Sequence, residues 1–121
     1  MRALVPLTIM TVLLFFGTVA QSHTGLVDSV PANGASEKRS PPAIELVFGA
    51  EVRLVNMKLT DGEGQPVELT TSRILTPARR FRIPMPALAA DNYTVDWVVM
   101  GGDSHKMTGR IIFTVEANAK Q

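Results

Sequence analysis

Both histidines of the chain and one aspartate form its strongest candidate for chemistry. Asp103 and His105 are separated by one residue and follow the Gly101-Gly102 pair, between the two segments with the clearest strand pattern. Residues two apart in an extended strand point to the same side, so we expect these two side chains to do so. His23 lies far away in sequence, at a candidate cleavage point for a leader peptide.

Cleavage after Ser22 would make His23 the amino-terminal residue, with its free α-amine and its Nδ1 both available to one metal ion. Chelation by a single residue lowers the entropy cost of assembling a site. His105 adds a third nitrogen and Asp103 adds a carboxylate oxygen. Three nitrogens and one oxygen in a tetragonal arrangement suit Cu(II). We therefore expect one Cu(II) ion per chain, bound by His23, Asp103 and His105.

The composition excludes most other kinds of catalytic, metal-binding or nucleic-acid-binding site. The chain has 121 residues, which is the size of one domain, and it contains no cysteine. Disulfides, thiolate zinc sites, iron–sulfur clusters, cysteine nucleophiles and blue-copper centres are therefore excluded. The formal net charge is only +1, whereas a nucleic-acid-binding domain is usually strongly basic. We expect no nucleic-acid partner.

The amino-terminal segment has the pattern of a secretory leader. Arg2 is followed by an apolar run, residues 3–20, that contains no further charge and ends in small residues. A short basic region, an apolar region and small residues at a cut site are typical of a signal peptide. An uncleaved membrane anchor is the alternative, because about 18 apolar residues just span a bilayer.

Two cleavage positions fit the small-residue rule, one after Ser22 and one after Ala20. Only the first leaves His23 at the amino terminus. We predict a signal peptide at residues 1–22, one domain at residues 23–121, and export to the periplasm.

The remaining chain reads as short strands separated by turns. Apolar residues alternate with polar ones in five segments, which is the period of a strand with one buried face. The alternating apolar residues are Ile44, Leu46 and Phe48; Val55, Met57 and Leu59; Phe81, Ile83 and Met85; Tyr93, Val95, Trp97 and Val99; and Ile111, Phe113 and Val115. Two weaker segments, around Val67-Leu69 and residues 23–30, bring the total to about seven, which predicts an antiparallel β-sandwich or small barrel.

Four motifs resemble the CopC family of periplasmic copper-binding proteins. Residues 23–34 resemble its opening His-x-x-Leu-x-x-Ser-x-Pro-Ala-x-Gly, and residues 42–48 resemble its Pro-x-x-Ile-x-Leu-x-Phe strand. Residues 92–99 are similar to its Tyr-x-Val-x-Trp strand, and residues 103–115 to its Asp-Gly-His-x-x-x-Gly-x-x-x-Phe-x-Val segment. The resemblance implies a Greek-key β-sandwich, described as cupredoxin-like or immunoglobulin-like. It also implies Cu(II) ligation by the residues that match its ligands, His23, Asp103 and His105.

The chain departs from the family pattern around the Asp-x-His motif. Ser104 stands where the family has Gly, Lys106 where it often has Pro, and Gly102 near a common Ser. Some family members carry a methionine-rich Cu(I) site, whereas residues 23–121 hold four scattered methionines and no Met-x-x-Met cluster. We expect no Cu(I) methionine site, although Met100 and Met107 flank the motif and their role stays open.

The resemblance implies a copper carrier that is not an enzyme, acts in copper resistance or homeostasis, and passes copper to a membrane transporter of the CopD type. We expect a monomer. One alternative is a metal-free immunoglobulin-like interaction module. Another is a copper-dependent oxidase similar to polysaccharide monooxygenases, which the core-like positions of Tyr93 and Trp97 disfavour because an oxidase needs an exposed substrate platform.

Overall fold

The computed structural model describes residues 25–120, and these form an all-β domain. Seven strands follow one another along the chain. They are β1 (Leu26–Val30), β2 (Ser36–Arg39), β3 (Ala43–Thr60), β4 (Pro66–Val67), β5 (Ile74–Pro84), β6 (Asp91–Gly101) and β7 (Lys106–Lys120). No helix within residues 25–120 is long and apolar enough to cross a membrane.

Strand β3 organises the sheet, because it pairs with four other strands. Its first half pairs with both β1 and β5, and its second half pairs with both β6 and β5. The two-residue strand β4 joins its end. Beyond β6 the sheet continues through β7 to β2, so the order along its main path is β1-β3-β6-β7-β2.

The pairing of β3 brings the start of β1 close to the end of β6. Strand β5 runs along both halves of β3, so β1 and β6 share the opposite edge. On that edge Leu26 of β1 pairs with Phe48, and Gly101 of β6 pairs with Val52. Only the exposed residues 49–51 separate these two pairs. The amino-terminal end of the described chain and the β6–β7 turn therefore lie at the same end of the domain.

The core lies inside the curled sheet and is apolar throughout. Among the described residues, no buried side chain is polar or charged. Trp97 is 1% exposed, meets Phe48 edge to face with ring centroids 5.3 Å apart, and lies against Gly109, where any larger side chain would overlap its ring. Edge-to-face aromatic pairs are favourable beyond the area they bury, so these rings fix how the two halves of the sheet meet.

The predicted all-β fold of seven strands is confirmed, with three differences in detail. The segments predicted separately around residues 44–48 and 55–59 form one continuous strand, β3. A register shift between Leu54 and Asn56 changes the alternation, so that Leu54 is fully buried and Val55 only half-buried. One pair, β2 with β7, is parallel, and no alternating apolar pattern marks β2 in the sequence.

Candidate metal site

The Asp-x-His motif lies on the turn between β6 and β7, where backbone hydrogen bonds close a tight loop. The amide of Gly101 donates to the carbonyl of His105 at 3.1 Å, and the amide of Ser104 donates to the carbonyl of Gly101 at 3.0 Å. Ser104 has a φ of 65°, the left-handed region that side-chain-bearing residues rarely adopt. Asp103 and His105 thus lie in a turn, and the extended strand from which we predicted a common direction is absent there.

The turn nevertheless brings the two side chains into contact. Nδ1 of His105 lies 2.7 Å from Oδ2 of Asp103, and the backbone amide of His105 donates to Oδ1 of the same carboxylate at 3.2 Å. Both side chains are open to solvent, with exposed fractions of 84% for His105 and 66% for Asp103. The two side chains therefore meet, as the sequence predicts, but a local turn and not an extended strand brings them together.

The contact between the two side chains favours the ionised form of Asp103. The hydrogen bond with the His105 side chain lowers the pKa of Asp103, and the hydrogen bond from the His105 amide lowers it further. An ionised carboxylate can only accept hydrogen bonds. Nδ1 of a neutral His105 must therefore carry the proton in this contact, which leaves Nε2 as its free metal-binding nitrogen.

His23, the third predicted ligand, lies outside the described residues, which begin at Gly25. Gly25 lies against Met107, two residues beyond His105. A Cβ atom at position 25 would stand 3.3 Å from both Sδ and Cε of Met107. The described chain thus begins at the end of the domain that carries the Asp103–His105 pair.

The structure brings two of the three predicted ligands together. Within residues 25–120, no group of three or more His, Cys, Asp or Glu side chains is placed to hold a metal ion. The described residues therefore supply His105 and Asp103, and the remaining donors of the predicted set belong to His23.

The two methionines that flank the turn lie on opposite faces of the β6–β7 pair. Met107 pairs with the buried Val99, and Met100 pairs with the exposed Lys106. Met107 packs against the apolar core. The sequence alone does not assign a role to it. The alternation that buries Ile111 in the same strand, four residues on, is the signal that places Met107 on the inner face.

The sequence and the fold both match proteins of one family. Residues 26–116 match the family described as the CopC domain. Copper resistance protein C of Pseudomonas syringae pv. tomato is 31% identical over 112 residues, which cover 85% of this chain and 88% of that protein.

Two solved structures resemble the fold. The crystal structure of CopC from Methylosinus trichosporium OB3b superposes with a TM-score of 0.67 and 27% identity, covering 79% of this chain and 94% of that one. The crystal structure of PcoC, a copper resistance protein from Escherichia coli, gives a TM-score of 0.54 and 28% identity, covering 75% of this chain and 98% of that one. Both matches extend over nearly the whole of the solved chains.

The left-handed conformation of Ser104 generates a stability prediction. Replacing Ser104 with Gly removes a steric cost of about 1–2 kcal/mol, which the greater flexibility of Gly in the unfolded chain offsets by about 0.5–1 kcal/mol. We expect Ser104→Gly to raise the free energy of unfolding modestly, measured by urea denaturation. Ser104→Ala keeps the Cβ atom and is the matched control. A Gly variant no more stable than the Ala variant would contradict the assigned backbone conformation.

The Asp103–His105 contact generates a second prediction, on the protonation of the ring. At a pH where His105 is neutral, we expect its Nδ1–H form to predominate, observed by nitrogen-15 NMR of the imidazole. Asp103→Ala removes the acceptor and should shift the ring toward the Nε2–H form. Asp96→Ala is the control, because Asp96 pairs with Arg110 at 2.7 Å and does not contact His105. An Nε2–H ring in the unaltered protein would refute the contact.

Proposed function

Because the chain belongs to the CopC family, we propose that it binds copper outside the cytoplasm and serves copper resistance or copper homeostasis. The family match runs from the first residue of β1 into β7, so it covers the strands that carry both halves of the candidate site. The relatives named as copper resistance proteins support copper as the metal.

The proposed site holds one Cu(II) ion. Its ligands are the α-amine and Nδ1 of His23, together with His105 and Asp103. The observation that carries this ligand set is the exposed Asp103–His105 pair, which lies at the same end of the domain as the start of the described chain. Nitrogen and oxygen donors with no thiolate favour Cu(II) over Cu(I). We infer that Nε2 of His105 and a carboxylate oxygen of Asp103 bind the ion. Because Nδ1 and Nε2 point to opposite sides of the ring, Asp103 must leave its contact with Nδ1 when it binds the same ion.

This ligand set requires export and processing. We propose that residues 1–22 act as a signal peptide and that cleavage after Ser22 in the periplasm frees the amine of His23. Both steps concern residues outside those the structure describes. Cleavage after Ala20 would leave two residues ahead of His23 and remove the amine from the chelate.

We propose that the protein holds and delivers copper and does not catalyse a reaction. Tyr93 is 4% exposed and Trp97 is 1% exposed, so neither offers an aromatic surface on which a polymeric substrate could lie. A site at the exposed rim of a sheet allows ligand exchange with a partner. We infer that this partner is a membrane copper transporter of the CopD type, and that the carrier acts as a monomer with one ion per chain.

Removing His23 tests the proposal. In protein processed to begin at His23, we expect Cu(II) to give a tetragonal, nitrogen-rich EPR signal. His23→Ala should change that signal, because it removes the imidazole nitrogen and the chelate ring. It should lower the Cu(II) affinity by more than the roughly 10–100-fold that is typical when a residue supporting a metal ligand is lost.

A second form of the protein distinguishes the contribution of the α-amine of His23 from that of its imidazole. A form that begins at Gln21 keeps the imidazole but moves the α-amine two residues away, and we expect it to resemble His23→Ala. The proposed function fails if His23→Ala leaves the EPR signal and the affinity unchanged. If the form that begins at Gln21 binds copper like the processed protein, only the α-amine of His23 is removed from the proposed ligand set.

A further inference from the structure

The side chain of Met107 links the Asp103–His105 turn to the start of β1. Met107 is the second residue of β7 and lies two residues after His105. Its Sδ and Cε atoms both lie 3.3 Å from the point where Gly25 would carry a Cβ atom, and the side chain is half-buried against the core. The Met107 side chain thus contacts the segment that follows His23, and Met107 itself lies two residues after His105.

Gly25 is held at this place from several sides. Its carbonyl accepts a hydrogen bond from the amide of Gly49 at 2.9 Å, and its neighbour Leu26 pairs with Phe48. The Phe48 ring lies 3.8 Å from the same Cβ position. Gly25 has a φ of 78°, which glycine adopts without strain. β3 therefore holds Gly25 through the backbone, and the end of the Met107 side chain closes its remaining side.

We propose that Met107 is a positioning residue for the amino-terminal copper chelate. By packing on Gly25, it fixes the direction in which the chain leaves β1 and holds His23 within reach of the Asp103–His105 pair. This inference rests on the proposed function, because it concerns how that site is assembled. Met107 acts through packing, and its thioether is not a ligand of the ion.

The physical reason is the entropy of assembling the site. Two residues, His23 and Thr24, separate Gly25 from the amino terminus, and each ordered residue loses conformational freedom when the ion binds. A Gly25 already fixed against Met107 leaves only those two residues to be ordered. A Gly25 that has lost its contact with Met107 is held only by β3, and the freedom it regains adds to the cost. Loss of the contact should therefore weaken copper binding without changing which atoms bind.

The test compares three variants of the protein that begins at His23. Met107→Val suits a strand but ends before the Sδ and Cε atoms that touch Gly25. Met107→Leu keeps four apolar heavy atoms and places carbon at the distance of Sδ, although it is branched and has no atom at the Cε position. Met100→Val is the matched control, because Met100 flanks the same turn on the opposite face.

Copper(II) affinity, measured by competition with a chelator of known affinity, should fall about tenfold or more in Met107→Val, as for other residues that support metal ligands from behind. Met107→Leu and Met100→Val should stay near the unaltered protein. At saturating copper, the EPR signal of Met107→Val should match that of the unaltered protein. Thermal unfolding of each variant confirms that the affinity is measured on folded protein.

Several results would overturn the inference. An unchanged affinity in folded Met107→Val would show that the contact with Gly25 does not position the chelate. An equal loss in Met107→Leu, with an altered EPR signal, would make the sulfur a ligand.

A double variant separates this inference from the proposed function. In a His23→Ala background, adding Met107→Val should cause no further loss of affinity, because the residue to be positioned is gone. A further loss of the same size would show that Met107 acts on the turn alone and would refute the inference. If His23→Ala by itself leaves copper binding unchanged, the proposed function fails instead, whatever Met107 does.

Discussion

The change of partner along one edge of β3, at residues 49–51, is the constraint on which the rest of the molecule depends. Strand β3 has 18 residues and is the only described strand that pairs with β1, β5 and β6. Because β5 pairs along one of its edges on both sides of residues 49–51, the other edge is divided between β1 before these residues and β6 after them. The first residue of β1 and the last of β6 must then meet at the same end of the domain. The candidate site follows from this pairing, since His23 precedes β1 and the Asp103–His105 turn follows β6.

The candidate site needs exposed polar groups, whereas the fold needs buried apolar ones. The two sets lie in different parts of the domain. The buried core consists of apolar and aromatic residues among those described, so it stabilises the fold mainly by apolar burial. The Asp103–His105 pair stands at the rim in water, where ionised groups carry little desolvation cost. A cation can reach and leave such a site without disturbing the core. Ser104 adopts a left-handed backbone in the turn, which is a small local cost beside the candidate site.

Much of the fold was predictable because burial has a period of two along a strand. The apolar sets in β6 and β7 were assigned to the core correctly, since those strands are regular throughout. The continuity of β3 was not predictable, because its exposed residues 49–51 look like a turn. Strand β2, with the sequence Ser-Glu-Lys-Arg, carries no alternating apolar signal, and only its pairing with β7 makes it a strand. Such long-range pairing has no signature in the local sequence.

The contact between Asp103 and His105 was predictable from the Asp-x-His motif, but its geometry was predictable only in part. The family assignment is confirmed, and the ligand set stays a prediction. The sequence could not show that a turn at Ser104 joins the two side chains, nor that Met107 touches Gly25, since both follow from the tertiary structure. The placement of His23 in the metal-bound protein stays a prediction.

A crystal structure of the copper-loaded protein that begins at His23 tests the central claim most directly. The account predicts one ion per chain at the β6–β7 end of the sheet. The α-amine and Nδ1 of His23, Nε2 of His105 and a carboxylate oxygen of Asp103 should bind it, with Met107 packed on Gly25. An ion bound away from the Asp103–His105 pair, or bound there without the His23 amine, would contradict the account.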